Sequence, residues 1–271
     1  MNYFKTEKLT ENLIRIIDCI GVCCYLVIGS DRACLLDTGC GYGNIKKYVQ
    51  TLTDKPIFVI LTHGHYDHMG GASLFDEVYM NLDDLEVFKK HTDPSWRNYV
   101  SIQNDIVGKI PNEEHIPYAN PLLIKGLKDG DCFNLGGEIV KMISVKGHTP
   151  GMMCPLLMKE RTIIFGDACG VGVLLFDEYS SVVSEYKQSL LNLKKLENEY
   201  DIVYRNHGTF TSQKELLDYV IECCNLILSG KDDHQPVTIH GISLFSAKRT
   251  GENGRLDGKE GNIMYTEDKV K

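Results

Sequence analysis

Residues Thr62 to Gly71 read T-H-G-H-Y-D-H-M-G-G and stand directly behind the apolar run Ile57-Phe58-Val59-Ile60-Leu61. That run is short, β-branched and free of polar residues, as expected of a strand buried on both faces, and Gly64 reads as the point where the backbone turns. His63 and His65 are two apart. In extended chain this spacing sends both imidazoles to one side, where two nitrogens can converge on one cation, while Asp67 and His68 come from the turn into the next helix. Imidazole and carboxylate together suit zinc-type ions, so the cluster reads as a metal site at a strand end rather than as a histidine-rich polar loop.

His63, His65, Asp67 and His68 resemble the signature of the metallo-β-lactamase superfamily, whose members are mostly binuclear metal hydrolases. Upstream, Leu35-Leu36-Asp37-Thr38-Gly39 resembles the strand and turn that precede that signature. Downstream, Gly147-His148-Thr149-Pro150-Gly151, Phe165-Gly166-Asp167 and Asn206-His207-Gly208 resemble its remaining metal motifs, in the expected order. The likeness runs from about residue 12 to residue 210 and leaves no ligand position unfilled. It implies an α/β fold, an αββα sandwich of two sheets flanked by helices. It also implies that His63, His65 and His148 hold one metal, that Asp67, His68 and His207 hold the other, and that Asp167 bridges them. Two zinc ions are the expected cofactors, with iron or manganese as alternatives. The implied nucleophile is a metal-bridging hydroxide, because metal binding lowers the pKa of water to about 7, and Asp67 or the second metal helps the leaving group depart. Asp67 and Asp167 are therefore the expected catalytic residues. No serine elbow suggests a protein nucleophile.

Within the superfamily the residues discriminate further. β-Lactamases proper lack a bridging aspartate, so Asp167 counts against them. Flavodiiron oxidoreductases carry Glu where this chain has His65 and add a flavin domain. Lactonases place a tyrosine three residues after the bridging aspartate, where this chain has Gly170, and glyoxalase II carries a longer helical C-terminal domain. The chain resembles the glyoxalase II and lactonase branch without matching either member. The expected function is hydrolysis of an ester, thioester or lactone of a small molecule. A phosphodiesterase and a mononuclear iron persulfide dioxygenase are the alternatives, and a silent metal-binding module would require a missing ligand.

A formal charge of −8 speaks against a nucleic-acid or anionic-membrane surface, which normally needs a basic face. The expected partner is a small-molecule substrate, with no nucleic acid and no membrane; a homodimer is left open. The N-terminal residues lack the pattern of a signal peptide and no apolar run approaches spanning length, so a cytoplasmic location is expected. Ten cysteines without C-x-x-C spacing read as reduced thiols, and Cys169, near Asp167, reads as a packed one. Because the ligand positions interleave from His63 to His207, the whole chain 1–271 reads as one domain with a short C-terminal extension from about 231.

In chain order, Leu13 to Ile17, Val22 to Ile28 and Ala33 to Leu36 suggest an antiparallel meander, and Ile45 to Leu52 a helix behind the cap residue Asn44. Asp37 has two readings, a turn residue or a second-layer acceptor that orients a metal-bound histidine; the resemblance favours the latter. Glu77 to Met80 reads as a strand and Leu82 to His91 as a helix. From Thr92 to Leu123 neither helical nor alternating periodicity is sustained, and the stretch reads as an irregular substrate lid. Trp96, Tyr99 and Tyr118 in it, with Leu174 and Phe176 from the apolar loop Val171 to Phe176, are the expected substrate contacts. Beyond, Ser184 is read as the cap of a helix over about 185–200, and Ser212 to Glu215 as a capping box for another.

Overall fold

The computed structural model describes residues 2–103, 109–239 and 241–271; Asp105 of the lid stretch and His240, which matches none of the metal motifs, lie outside them. By its contacts the chain divides into two compact units, one of Met1–Met142 with Asn206–Gly208, the other of Ile143–Arg205 with Thr209–Lys271.

The first unit is built on a seven-stranded sheet in strictly sequential order. Strands β1 (Phe4–Lys8), β2 (Leu13–Asp18), β3 (Cys23–Ile28) and β4 (Ala33–Leu36) form the expected meander, extended by one strand at its N-terminal edge. β1 escapes a pattern search because only Phe4 of Phe-Lys-Thr-Glu-Lys is buried; its charges suit a solvent-facing edge. Helix α1 (Ile45–Val49) follows, and the Asn44 side chain accepts the Lys47 N–H at 2.9 Å, the expected cap. From β4 onward the pairing turns parallel through β5 (Ile57–Ile60), β6 (Val78–Met80) and β7 (Lys125–Gly126). Between β5 and β6 lies α2 (Tyr66–Met69), and between β6 and β7 lie α3 (Leu85–His91) and α4 (Pro94–Gln103). Val59, Leu61, Met69, Val78 and Phe88 pack with Leu26 and Leu35 into this unit's core. A hairpin of β8 (Cys132–Asn134) and β9 (Ile139–Ser144) begins here, with Phe133 stacked on Phe58 at 5.5 Å.

The lid stretch is more regular than its sequence suggests. Pro94 opens α4, where a missing N–H does no harm, and the Asp93 carboxylate accepts the Ser95 N–H at 2.8 Å. Further on, Gly43 N–H donates to Glu114 O at 2.8 Å and Ile116 N–H to Gly41 O at 2.9 Å, which ties 114–116 to the loop after β4.

In the second unit β10 (Met153–Leu157) and β11 (Thr162–Ile164) form a hairpin. The stretch read as an apolar loop instead contains strand β12 (Val173–Leu175). Helix α5 (Val183–Lys194) comes next, then β13 (Ile202–Tyr204) parallel to β11, β14 (Thr211–Ser212) and α6 (Leu216–Leu228). Neither helix uses its expected cap. The Ser184 N–H donates to the Lys271 carbonyl at 3.0 Å, while Ser212 lies in β14, where its hydroxyl accepts from Arg205 Nε at 2.8 Å. Past residue 231 the chain forms β15 (Gln235–Ile239), β16 (Ile242–Ser246), the small pair β17 (Thr250–Gly251) and β18 (Gly254–Arg255), and β19 (Ile263–Tyr265). β12, β19, β16 and β15 make one sheet in that order, with β12 parallel to β19. Ile263 and Tyr265 are buried with Leu175, Tyr186, Leu217 and Val220 in this unit's own core.

Candidate metal centre

The centre of the first unit's polar network is Asp37, at the end of β4. It combines the backbone of a turn residue with a carboxylate that accepts from a histidine. Its backbone sits at φ 63°, a turn conformation that Asp tolerates better than most side chains, and its buried carboxylate accepts four hydrogen bonds. Oδ1 takes the Thr62 N–H at 2.7 Å; Oδ2 takes the Thr62 hydroxyl at 2.9 Å, His68 Nδ1 at 2.8 Å and Asn206 Nδ2 at 3.0 Å.

These bonds decide the protons on two histidines. Since a carboxylate only accepts, His68 must carry a proton on Nδ1, and in the neutral ring a ligand requires, Nε2 keeps the lone pair. The Thr62 hydroxyl spends its own proton on Asp37, so it accepts from His63 Nδ1 at 3.0 Å, and His63 Nε2 likewise keeps a lone pair. Those lone pairs face other donor atoms of the same kind. His63 Nε2 lies 3.1 Å from His65 Nδ1; His68 Nε2 lies 3.3 Å from His207 Nε2 and 3.6 Å from Asp67 Oδ2, and His207 Nε2 lies 3.4 Å from the same Asp67 oxygen. Asp67, His68 and His207 thus each offer a ligand atom within 4.8 Å of the others. Imidazole nitrogens aimed at one another and at a carboxylate are what a divalent cation requires, so the donor set fits a metal.

Gly64 is needed for a reason other than the turn read from sequence. A Cβ there would stand 2.8 Å from Phe88 N and 3.0 Å from Asp84 O, because α3 lies directly against the histidine strand end. Asp84 accepts the Gly64 N–H on Oδ2 at 2.9 Å. His91, three residues beyond Phe88 on the same face of α3, stacks on His65 with ring centroids 4.4 Å apart. Sequence reading passed over Asp84 and His91. Their spacing with Phe88, i, i+4 and i+7, was the available signal of polar groups on a buried helix face.

The second unit carries His148 and Asp167. His148 Nδ1 meets the Leu174 carbonyl at 3.0 Å, which again places the proton on Nδ1 and leaves Nε2 facing Asp167 Oδ2 at 3.7 Å. Gly147 allows this by close approach, since a Cβ would fall 2.1 Å from Tyr186 Cδ2, and the Tyr186 hydroxyl donates to Ala168 O beside Asp167 at 2.6 Å. Cys169 is fully buried and burial pushes its thiol well above the usual range, as suits a packed thiol.

The expected substrate residues divide between the two units. Trp96 stacks on His91 at 4.3 Å. Tyr99 packs with Val22, Cys40, Tyr42 and Ile110 in a side core of the first unit, while Tyr118 packs against that unit's main core and lies under the Arg97 guanidinium at 4.4 Å. Leu174 and Phe176, both half-buried, lie in and just after β12.

This fold and this donor set are those of the metallo-β-lactamase class. The sequence matches the family model of the metallo-beta-lactamase superfamily over residues 17–207, and the chain belongs to that superfamily. Among known proteins it is similar to the acyl-coenzyme A thioesterase MBLAC2 of Homo sapiens, 28% identical over 179 residues, which covers 60% of this chain and 63% of that protein. It is also similar to the atrochrysone carboxyl ACP thioesterase of Aspergillus fumigatus, 28% identical over 186 residues, covering 66% of this chain and 48% of that one. The chain therefore spans about half to two thirds of the length of these relatives. The metallo-beta-lactamase from Pontibacter korlensis shares the fold, with a TM-score of 0.56 at 14% identity over 82% of this chain and 99% of its own. Among the described residues no helix is long and apolar enough to cross a membrane.

Proposed function

We propose that this chain is a metal-dependent hydrolase of small-molecule thioesters. The observation that carries the metal reading is Asp37, whose bonds to His68 and Thr62 direct unprotonated Nε2 atoms of His68 and His63 toward further ligand-type groups. Two relatives named as thioesterases support the choice of thioester among the carbonyl substrates. In this reading His63, His65 and His148 hold one ion, Asp67, His68 and His207 the other, and Asp167 is shared; zinc suits that donor set. When bound, such a pair supplies Lewis acidity toward a carbonyl oxygen and a water that ionises near neutral pH. The chain's own part is to fix the ligand nitrogens before any ion arrives. Asp37 holds two imidazole tautomers, the Leu174 carbonyl a third, and Asp84 pins the backbone between His63 and His65. A thiolate leaving group departs without prior protonation, so no dedicated general acid is required of the chain. Trp96, Leu174 and Phe176 remain the side chains proposed to contact the acyl group.

Elemental analysis alongside a panel of thioesters, esters, lactones and phosphodiesters tests this. About two transition-metal ions per chain and highest kcat/KM on a thioester are expected. Asp167→Ala should lose metal and activity together while Cys169→Ala keeps both; full turnover by the Asp167 variant, or one iron with oxygen uptake, would overturn the reading.

A further inference from the structure

Three of the site's histidines are fixed by hydrogen bonds to their Nδ1 atoms, His63 through Thr62, His68 through Asp37 and His148 through Leu174. His65 is oriented in another way. Its ring lies against His91 with centroids 4.4 Å apart and planes 29° apart, and His91 lies in turn on Trp96 at 4.3 Å and 7°. Tyr66 runs parallel to both, 5.7 Å from His91 and 5.5 Å from Trp96. His91 also takes the backbone N–H of Tyr66 on its Nδ1 at 3.4 Å, so one buried ring is joined both to the His65 imidazole and to the peptide that follows it.

We propose that His91 is a positioning residue for the metal site, a stacked ring that sets the plane of the His65 imidazole so that Nδ1 stays turned toward His63 Nε2. The inference rests on the metal-site reading above. Its physical basis is geometric. A histidine that ligates through Nδ1 has the coordinating atom well off the Cβ–Cγ axis, so rotation about χ2 swings that nitrogen away from its partner, and a flat neighbour against the ring face opposes that rotation. The α3 backbone carries the stacking ring and is itself registered on the site, through Asp84 on Gly64 N–H and the close approach of Phe88, so the ring stands at a fixed height over His65. Trp96 stacks on His91 in turn and limits the rotation of that ring.

The test separates stacking from hydrogen bonding and from mere stability. Apo protein is titrated with Co(II) or Zn(II) against a competing chelator, and the two binding steps are resolved for wild type, His91→Ala, His91→Phe and His91→Asn, with apo Tm measured in parallel. His91→Ala should weaken one of the two equivalents by about 10- to 100-fold and leave the other within error, with a changed Co(II) ligand-field spectrum for the weakened site. His91→Phe, which keeps a ring but no acceptor, should restore most of that affinity; His91→Asn, which keeps a polar group but no ring, should not. If His91→Ala does not fold, the Phe and Asn pair carries the comparison. Equal weakening of both equivalents in step with a lower apo Tm, or rescue by Asn instead of Phe, would overturn the proposal. Wild-type protein that binds no ion would instead overturn the metal-site reading itself.

Discussion

Asp18, at the end of β2, shows how a single carboxylate can act against the fold that houses it. Burial pushes its carboxyl up to about 6, although Cys40, Ile20 and Val22 donate backbone N–H groups to it at 3.2, 3.0 and 3.0 Å. The folded chain therefore holds the proton more tightly than the unfolded one. Its contribution is fully present below the ordinary value of 3.8 and is lost as pH rises through about 6. Denaturation midpoints recorded across that window should show a fall attributable to this group, flattened in Asp18→Asn; an identical slope in the variant would dismiss Asp18 as its source. Residues of this kind are not visible in the sequence, where Asp18 ends an apolar run like any turn residue. The ligand-type residues His63, His65, Asp67 and His68 were legible because four such side chains stand within six residues behind one apolar run, a pattern that local chain order alone displays. Asp84 and His91 were not, since what they touch depends on α3 folding back over Gly64.

At the scale of elements, that same contact between α3 and the histidine strand end admits a direct test. Gly64→Ala places a methyl carbon 2.8 Å from Phe88 N and 3.1 Å from Phe88 Cα, both backbone-bound, so α3 rather than a side chain must move. Overpacking of this sort typically costs about 1–3 kcal/mol. Chemical denaturation should register that loss, and metal affinity should fall with it because Asp84 and His91 move too; an unchanged midpoint would show that α3 yields freely. The elements that sequence revealed have strong local signals, as in the buried runs of β3, β4 and β5 or Asn44 before α1. Those it concealed have weak ones. Helix α4 shows only Asp93-Pro94 at its start, without a continuous apolar stripe, and β12 is a three-residue strand whose partner lies far along the chain at β19.

For the molecule as a whole, the residues past 231 change status between sequence and structure, from a short C-terminal extension to strands whose Ile263 and Tyr265 sit in the second unit's core. Truncation after Gly230 should leave that unit without a stable core, read as rapid proteolysis of 143–230 and loss of near-ultraviolet circular dichroism. A truncated chain that melts like the full one would mean β19 is dispensable. The division into units has its own lesson: Asn206–Gly208 belongs by its contacts to the first unit, where Asn206 receives the Cys23 N–H at 2.9 Å and donates to the Cys23 carbonyl at 2.6 Å and to Asp37. On the ribosome this segment emerges late. At about 5–20 residues per second, synthesis from Met142 to Asn206 takes roughly 3 to 13 s, during which a nascent first unit waits with the Asp37 cluster incomplete. The chain's synthesis order thus delays maturation of the histidine cluster, holding the donor atoms of His207 back from the early nascent polypeptide until half of the second unit has been translated.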